Sequence, residues 1–178
     1  MTVRRARPED LDRIAEIYEE AKKAIAVLGI DQWQDGYPNR SVAEEDCAAG
    51  LSVVVCEGDL PSGVCVLIPD GEKTYDVIEN GAWLTGNGSR KYMTVHRIAV
   101  LAAFRGKGAA ARLLHYAEEE ARGKGLSSIR IDTHEGNVVM RRMLEKNGFV
   151  YCGVIHLENG DPRVAYENRI SDSYGGIS

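Results

Sequence analysis

The feature that most constrains the fold is a strand-like segment that runs into a glycine-rich loop and then a helix. Residues 92–100 (YMTVHRIAV) are rich in β-branched residues, and residues 110–121 carry apolar side chains at helical spacing. The basic loop 105–108 (RGKG) joins them, and a second strand-like segment, 128–132 (SIRID), follows the helix. This order predicts a β-α-β crossover at the centre of the fold.

The remaining elements follow from periodicity and turn residues. A short strand at 3–6 precedes a helix that begins near residues 8–10 and ends at Gly29, and Ser41 is predicted to cap a second helix. The segment 69–90 is polar and rich in Gly and Asn, which is typical of an insertion. Further strands are predicted at 51–57, 63–68, 149–155 and 163–166, and a further helix at 138–146. We expect one α/β domain over residues 1–170, followed by a flexible tail at 171–178.

Composition narrows the class of protein. The chain has 178 residues, of which 44% are hydrophobic and 28% charged, so wholesale disorder is excluded. A net charge of -5 does not favour nucleic acid or an anionic membrane as a partner. The charged start has no signal-like apolar run, and we expect a cytoplasmic protein. The cysteines form no C-x-x-C pair, so we expect free thiols and no metal site; they are Cys47, Cys56, Cys65 and Cys152.

The loop 105–108 has the chemistry of a pyrophosphate site. Glycines let the backbone approach an anion, and the free N–H groups of the first helical turn point towards it. Arg105 and Lys107 add positive charge. The alternative is a basic turn before a surface helix.

Two kinds of phosphate ligand compete for this loop. The nucleotide pattern G-x-x-x-x-G-K-[ST] is absent, but Gly106-x-Gly108-x-x-Ala111 fits the dinucleotide pattern, and Asp132 ends the next strand. Residues 101–105 separate these glycines from the strand, and the chain offers one crossover rather than a series. Both facts weigh against a dinucleotide enzyme.

The alternative ligand is coenzyme A, through a resemblance to a known family. The segment 105–110 matches [Q/R]-x-x-G-x-[G/A], the pyrophosphate loop of the GNAT family of N-acetyltransferases. The strand end at 98–100 and the element from Asn137 to Phe149 also resemble that family. The resemblance covers residues 92–155 well, and residues 3–68 follow the family's element order. A bacterial subgroup of mostly unassigned substrate is similar at Trp33, Tyr37-Pro38, His96-Arg97 and Asp132-Thr-His134.

The resemblance implies a mixed, mostly antiparallel sheet flanked by helices, and acetyl transfer from acetyl-CoA to a primary amine of a small molecule or peptide. The amine would attack directly in a ternary complex. The N–H groups of strand 98–100 would polarise the acetyl carbonyl. The sequence leaves the oligomeric state open, a homodimer included. The implied cofactor-binding residues are Ile98, Ala99, Val100, Arg105, Gly106, Lys107, Gly108, Ala109, Ala110 and Asn137. For Asn137, a plain helix cap is an equal alternative.

Several residues are candidates for the base that deprotonates the substrate ammonium. His96 lies on the cofactor strand and, by the two-residue period, shares a face with Ile98, whose N–H is among those expected to polarise the acetyl carbonyl. His134 and Glu135 follow a strand end, and Tyr92 begins the cofactor strand. A structural histidine is the alternative interpretation of His96, and a solvated loop charge that of Glu135.

Large aromatic residues indicate the substrate side. Trp33, Tyr37 and Trp83, together with Tyr92, offer ring faces to a cationic amine, the alternative being a hydrophobic cover over the core. Acidic partners for the amine include Asp31, Asp35 and Glu79, among which the sequence does not choose.

One position departs from the family pattern. Many members carry a tyrosine seven residues after the asparagine, as general acid for the leaving thiolate, and here that position is Leu144. Either another group protonates the sulfur or CoA leaves as the thiolate. A non-catalytic acyl-CoA-binding module is the alternative function that this departure keeps open.

Overall fold

The computed structural model describes residues 1–87 and 90–170, and the predicted tail at 171–178 lies outside them. The described residues form a mixed sheet with the strand order β1-β2-β3-β4-β5-β7-β6, in which β4 and β5 are parallel and the other neighbours antiparallel. The strands are β1 (Thr2–Arg5), β2 (Ser52–Glu57), β3 (Leu60–Ile68), β4 (Tyr92–Val100), β5 (Ser128–Thr133), β6 (Val150–His156) and β7 (Pro162–Arg169). The helices are α1 (Leu11–Ala26), α2 (Arg40–Ala48), α3 (Ala109–Gly123) and α4 (Val138–Lys146). The predicted mixed α/β class is confirmed.

Helices cover both faces of the sheet. The apolar stripe of α3, with Leu113 and Ala117, packs on Val53, Met93 and Ile129. On the opposite face, α1 packs on the strand residues that alternate with these. The α1 cluster contains Ile14, Ile17 and Tyr18 with Val54, Val64 and Ala99. The strand period of two therefore separates the two cores.

The start of α2 differs from the prediction. Asn39, not Ser41, is the N-cap: its side chain accepts a hydrogen bond from the N–H of Val42 at 3.1 Å, and the helix begins at Arg40. Both residue types cap helices well, so local sequence alone does not choose between them.

The segment between β3 and β4 is anchored by a buried ion pair. Nε of Arg130 lies 3.0 Å from Oε1 of Glu167, and both side chains are almost fully buried. Thr85 and Ser128 donate to the same carboxylate, and Arg130 donates to the carbonyl of Gly86 at 2.7 Å. Burial disfavours the charge of Glu167, but the hydrogen bonds outweigh it and lower its pKa. The network fixes Thr85 and Gly86 of the 69–90 insertion against β5 and β7.

None of the helices in residues 1–87 and 90–170 has the length and apolar composition that a membrane crossing requires.

Candidate active site

The central opening of the sheet lies between β4 and β5. Their parallel ladder ends at the pair Thr94 and Arg130, although β4 continues to Val100 and β5 to Thr133. Beyond that pair the strands separate, and residues from both line a cavity of about 770 Å³. In this stretch the β4 backbone does not pair with β5.

A β-bulge interrupts β4 beside this opening. Val64 of β3 pairs with Ala99, whereas Val66 pairs with His96, so β4 contains one extra residue. Arg97 accommodates it, with a φ of 51°.

The bulge changes which face the next residues occupy. His96 pairs with Val66, on the face of β3 where Val64 meets α1, whereas Ile98 packs against the cluster under α3. The prediction that His96 and Ile98 share a face is therefore wrong, because the extra residue interrupts the two-residue period.

Two glycines shape the loop between β4 and α3. Gly106 has a φ of 73° and Gly108 a φ of 85°, the left-handed region that favours glycine. No other atom lies within 4 Å of the position where a Cβ would stand at either residue. The loop therefore leaves open space beside its backbone.

The first turn of α3 presents free N–H groups next to this space. The intrahelical ladder begins with the N–H of Arg112, which donates to the carbonyl of Gly108 at 3.0 Å. The N–H groups of Ala109, Ala110 and Ala111 thus have no intrahelical acceptor, and the helix dipole makes this end positive. Arg105 and Lys107 are exposed beside it. The geometry fits an anionic diphosphate.

A narrower groove of about 210 Å³ connects this loop to the opening. Ala99, Val100, Arg105 and Ala110 line the groove at the loop end. Five residues line both the groove and the larger cavity: Ile25, Trp33, Ile98, Asn137 and Met140. A ligand held at the loop can therefore extend along β4 and meet a second ligand in the cavity.

The larger cavity is acidic. Among the described residues, five carboxylates line it but only two guanidiniums, those of Arg97 and Arg163. Both are already paired: Arg97 with Asp46 at 2.7 Å, and Arg163 with Asp161 at 3.8 Å. The carboxylates are Asp31, Asp35, Glu72, Asp132 and Asp161. The lining suits a cationic ligand better than an anionic one.

His96 lines this cavity in contact with a carboxylate. Its Nε2 lies 3.2 Å from Oε2 of Glu72, and the two side chains are 22% and 27% exposed. The hydrogen bond with His96 lowers the pKa of Glu72, outweighing its partial burial. The sequence does not point to Glu72, because this residue lies 24 positions from His96 on the insertion and has no motif around it.

Tyr92 and Trp83 lie elsewhere. Tyr92 is 2% and Trp83 4% exposed, in a buried cluster with Tyr75, and neither lines the cavity. The guanidinium of Arg130 lies between their rings, 4.0 Å and 4.2 Å from the two centroids. The structure thus places these two aromatics in the core, although the sequence analysis assigned them to the site.

The other two aromatic candidates do line the cavity. Trp33 has a φ of 64° and packs edge-on against Tyr18, with ring centroids 6.2 Å apart. Tyr37 is 37% exposed, and its hydroxyl accepts a hydrogen bond from Arg97. Both belong to the segment between α1 and α2.

His134 and Asn137 are placed by local hydrogen bonds. Nδ1 of His134 accepts from the N–H of Gly136 at 3.0 Å, and this histidine does not line the cavity. Oδ1 of Asn137 accepts from the N–H of Met140, which makes Asn137 the N-cap of α4, and Nδ2 faces Gln32 at 3.3 Å. Asn137 lines the groove as well, so its two predicted roles are compatible.

Two further observations bear on the chemistry. Leu144 is fully buried in the core under α4. Within residues 1–87 and 90–170, no group of three or more His, Cys, Asp or Glu side chains is placed to hold a metal ion.

The split parallel pair, with the free N–H groups of α3 at one end, fits the fold of an acyl-CoA-dependent transferase. The model of the acetyltransferase (GNAT) family matches residues 11–149. The chain therefore belongs to the GNAT family, whose members are acetyltransferases and use acetyl-CoA.

Solved structures agree with this assignment. An acetyltransferase of the GNAT family from Streptococcus agalactiae 2603 is 39% identical, with 94% of each chain covered and a TM-score of 0.84. Two more distant structures show the fold alone. One, a GNAT-family acetyltransferase from Listeria monocytogenes 4b F2365, is 22% identical over 94% of each chain, with a TM-score of 0.68. The other, the PaiA N-acetyltransferase of Thermoplasma acidophilum in complex with coenzyme A, is 17% identical over 94% of this chain and 98% of that one, with a TM-score of 0.69. No curated protein matches the chain.

Proposed function

We propose that this protein transfers the acetyl group of acetyl-CoA to a primary amine of a small molecule or peptide, by direct attack in a ternary complex. The observation that carries the proposal is the opening between β4 and β5, with the glycine loop and the start of α3 at one end and an acidic cavity at the other.

The cofactor end is built mainly from backbone. The free N–H groups of α3 and the space beside Gly106 and Gly108 would hold the diphosphate, and the exposed Arg105 would add charge. The separated stretch of β4 would pair with the pantetheine arm and polarise the acetyl carbonyl. When bound, acetyl-CoA supplies an electrophilic thioester. The residues proposed to hold it are Ile98, Ala99, Val100, Arg105, Gly106, Lys107, Gly108, Ala109, Ala110 and Asn137.

The acceptor end favours an amine that arrives as an ammonium ion. Such a group has a pKa near 10, like that of lysine, and is protonated at neutral pH. The carboxylates of the cavity would attract it, and the rings of Trp33 and Tyr37 would contact its apolar part. Trp83 is not part of the proposed substrate site, because it is buried with Arg130.

We assign the base to His96. Among the described residues, His96 is the histidine that lines the cavity, whereas Nδ1 of His134 accepts a hydrogen bond from the N–H of Gly136. The ammonium gives one proton to His96, and the amine nitrogen bonds to the carbonyl carbon as the C–S bond breaks. The second N–H proton goes, directly or through solvent, to the sulfur, because Leu144 offers no acid.

We also propose a cytoplasmic location. The four cysteines of the chain are free thiols, and burial raises the pKa of Cys65 to about 12. Unpaired thiols are typical of a reducing compartment.

The test is a panel of amines incubated with acetyl-CoA, followed by thiol release and by the mass of the acetylated product. We expect release that depends on both substrates, with cationic amines preferred over zwitterionic amino acids. Binding of CoA without thiol release from any amine would favour the non-catalytic module instead. Thermal stabilisation by NAD(H) and not by CoA would contradict both.

A further inference from the structure

We propose that Glu72 is a positioning residue for His96: it holds the imidazole with its proton on Nε2, so that Nδ1 takes the proton of the acceptor amine, and Tyr92 in turn holds Glu72. The inference rests on the proposed function, since it adds a residue to that reaction.

The contact between the two side chains carries the first step. Nε2 of His96 lies 3.2 Å from Oε2 of Glu72, and among the described residues no partner hydrogen-bonds Nδ1. An ionised carboxylate only accepts hydrogen bonds, so the nitrogen that faces it must carry the proton. In the neutral ring, Nδ1 then holds the lone pair.

The backbone of Glu72 is fixed by the phenol of Tyr92. The N–H of Glu72 donates to the Tyr92 hydroxyl at 2.9 Å, and that hydroxyl lies 3.2 Å from the carbonyl of the same residue. Tyr92 lies on the same strand as His96, four residues earlier, and its ring is held against Arg130. Histidine, carboxylate and phenol are thus tied to one strand, although Glu72 comes from the insertion.

The carboxylate has the charge that this role needs. The hydrogen bond with His96 holds the pKa of Glu72 below its ordinary value, so Glu72 is ionised at neutral pH. A negative charge beside the ring stabilises the imidazolium that forms when the base takes a proton.

Tyr75 and Arg97, two titratable groups next to the pair, are each bonded to a carboxylate. The Tyr75 ring lies 6.5 Å from the His96 ring. The Tyr75 hydroxyl lies 2.6 Å from the Asp132 carboxylate. Burial and this carboxylate raise the pKa of Tyr75 well above its ordinary value. Arg97, the next residue of β4, is held by both oxygens of Asp46. The remaining charged groups of the cavity lining are Asp31 and Asp35 between the first two helices and the pair Arg163 and Asp161 on the β6–β7 side.

The pH–rate profile of Glu72→Gln tests the charge. Glutamine keeps an acceptor for Nε2–H but removes the negative charge, so the base becomes weaker. We expect kcat to fall about tenfold and the acid limb of the kcat/KM profile to move about one pH unit lower. Asp70→Asn is the matched control, because Asp70 is exposed on the same insertion and does not line the cavity, and its profile should equal that of the wild type.

Tyr92→Phe tests the anchor. Removal of the hydroxyl frees the backbone of Glu72 but leaves the carboxylate charged. The acid limb of the Tyr92→Phe kcat/KM profile should therefore lie between the acid limb of the wild type and that of Glu72→Gln. A Tyr92→Phe profile identical to the wild type would remove Tyr92 from the proposal.

The ring tautomer gives a readout that needs no activity. Imidazole ¹⁵N chemical shifts in the protein without ligands should place the His96 proton on Nε2, and Glu72→Ala should lose this preference. A wild-type proton on Nδ1 would overturn the assignment.

The outcomes separate the two proposals. If the wild type acetylates no amine, the proposed function fails, and the tautomer still decides whether Glu72 orients His96. The other informative case is an active wild type with an inactive His96→Ala variant. If Glu72→Gln then keeps the wild-type rate and the wild-type acid limb, the proposed function stands and the role given to Glu72 is wrong.

Discussion

The two ends of the β4–β5 opening are built in different ways. The proposed cofactor end is centred on one continuous stretch, residues 98–110, with its backbone N–H groups and two glycines, while Asn137 and residues of α1 and α4 complete the groove. The acceptor end collects side chains from separate parts of the chain: the segment between α1 and α2, the insertion, both central strands and the β6–β7 side.

The two ends depend on different parts of the fold. The proposed diphosphate site needs only its own loop and helix to fold correctly. The acceptor end also needs the insertion to be held in place, and the buried Arg130–Glu167 pair of β5 and β7 contributes to this at Thr85 and Gly86. We therefore expect the two ends to be separable by mutation.

Glu167→Ala should have the largest effect. It leaves the guanidinium of Arg130 buried without its carboxylate, which costs about 3–5 kcal/mol of the free energy of unfolding. Urea unfolding measures this loss, with Glu79→Ala as the exposed control. If the variant folds, CoA binding should survive better than amine turnover, and equal losses of both would break the comparison. Glu167→Gln is the milder variant if the alanine variant does not fold.

His96→Ala should affect only the acceptor end. Loss of the base should lower kcat about 1000-fold. The Kd for CoA, measured by calorimetry, should stay within about twofold, since the diphosphate loop is untouched. A variant that keeps the wild-type turnover would exclude His96 as the base.

Gly108→Asp should affect only the cofactor end. At a φ of 85° any side chain is strained, and the carboxylate would repel a diphosphate. We expect the Kd for CoA to rise about 100-fold. Gly125→Asp carries the same charge at a φ of 66° beyond the other end of α3, and should leave the Kd unchanged. Equal affinities in the two variants would contradict the assigned loop.

The smallest expected effect is on the pH dependence of stability. The folded pKa of Glu167 lies below its ordinary value of 4.5, so its ionisation stabilises the fold above about pH 4.5. This contribution is lost as the pH falls through the folded pKa. Between pH 6 and pH 3, the free energy of unfolding should fall more steeply for the wild type than for Glu167→Gln. Parallel falls in the two proteins would contradict the role given to Glu167.

Most of the cofactor end could be predicted from the sequence, because its information is local. The strand, the glycine loop and the apolar stripe of α3 are contiguous, and the family match over residues 11–149 agrees with them. The acceptor end could be predicted only in part: Trp33 and Tyr37 line the cavity, but Trp83 and Tyr92 do not.

The sequence by itself therefore determined the mixed α/β class, the β-α-β crossover and a loop with the chemistry to hold a diphosphate, because short-range periodicity and glycine positions encode all three. The tertiary structure alone decided which side chains meet. A single extra residue at Arg97 turned Ile98 to the other face. Trp83 packs in the core against Arg130, whose ion-pair partner Glu167 lies 37 positions along the chain. The same folding brought Glu72 to His96, since contacts between distant segments depend on packing and leave no local pattern in the chain.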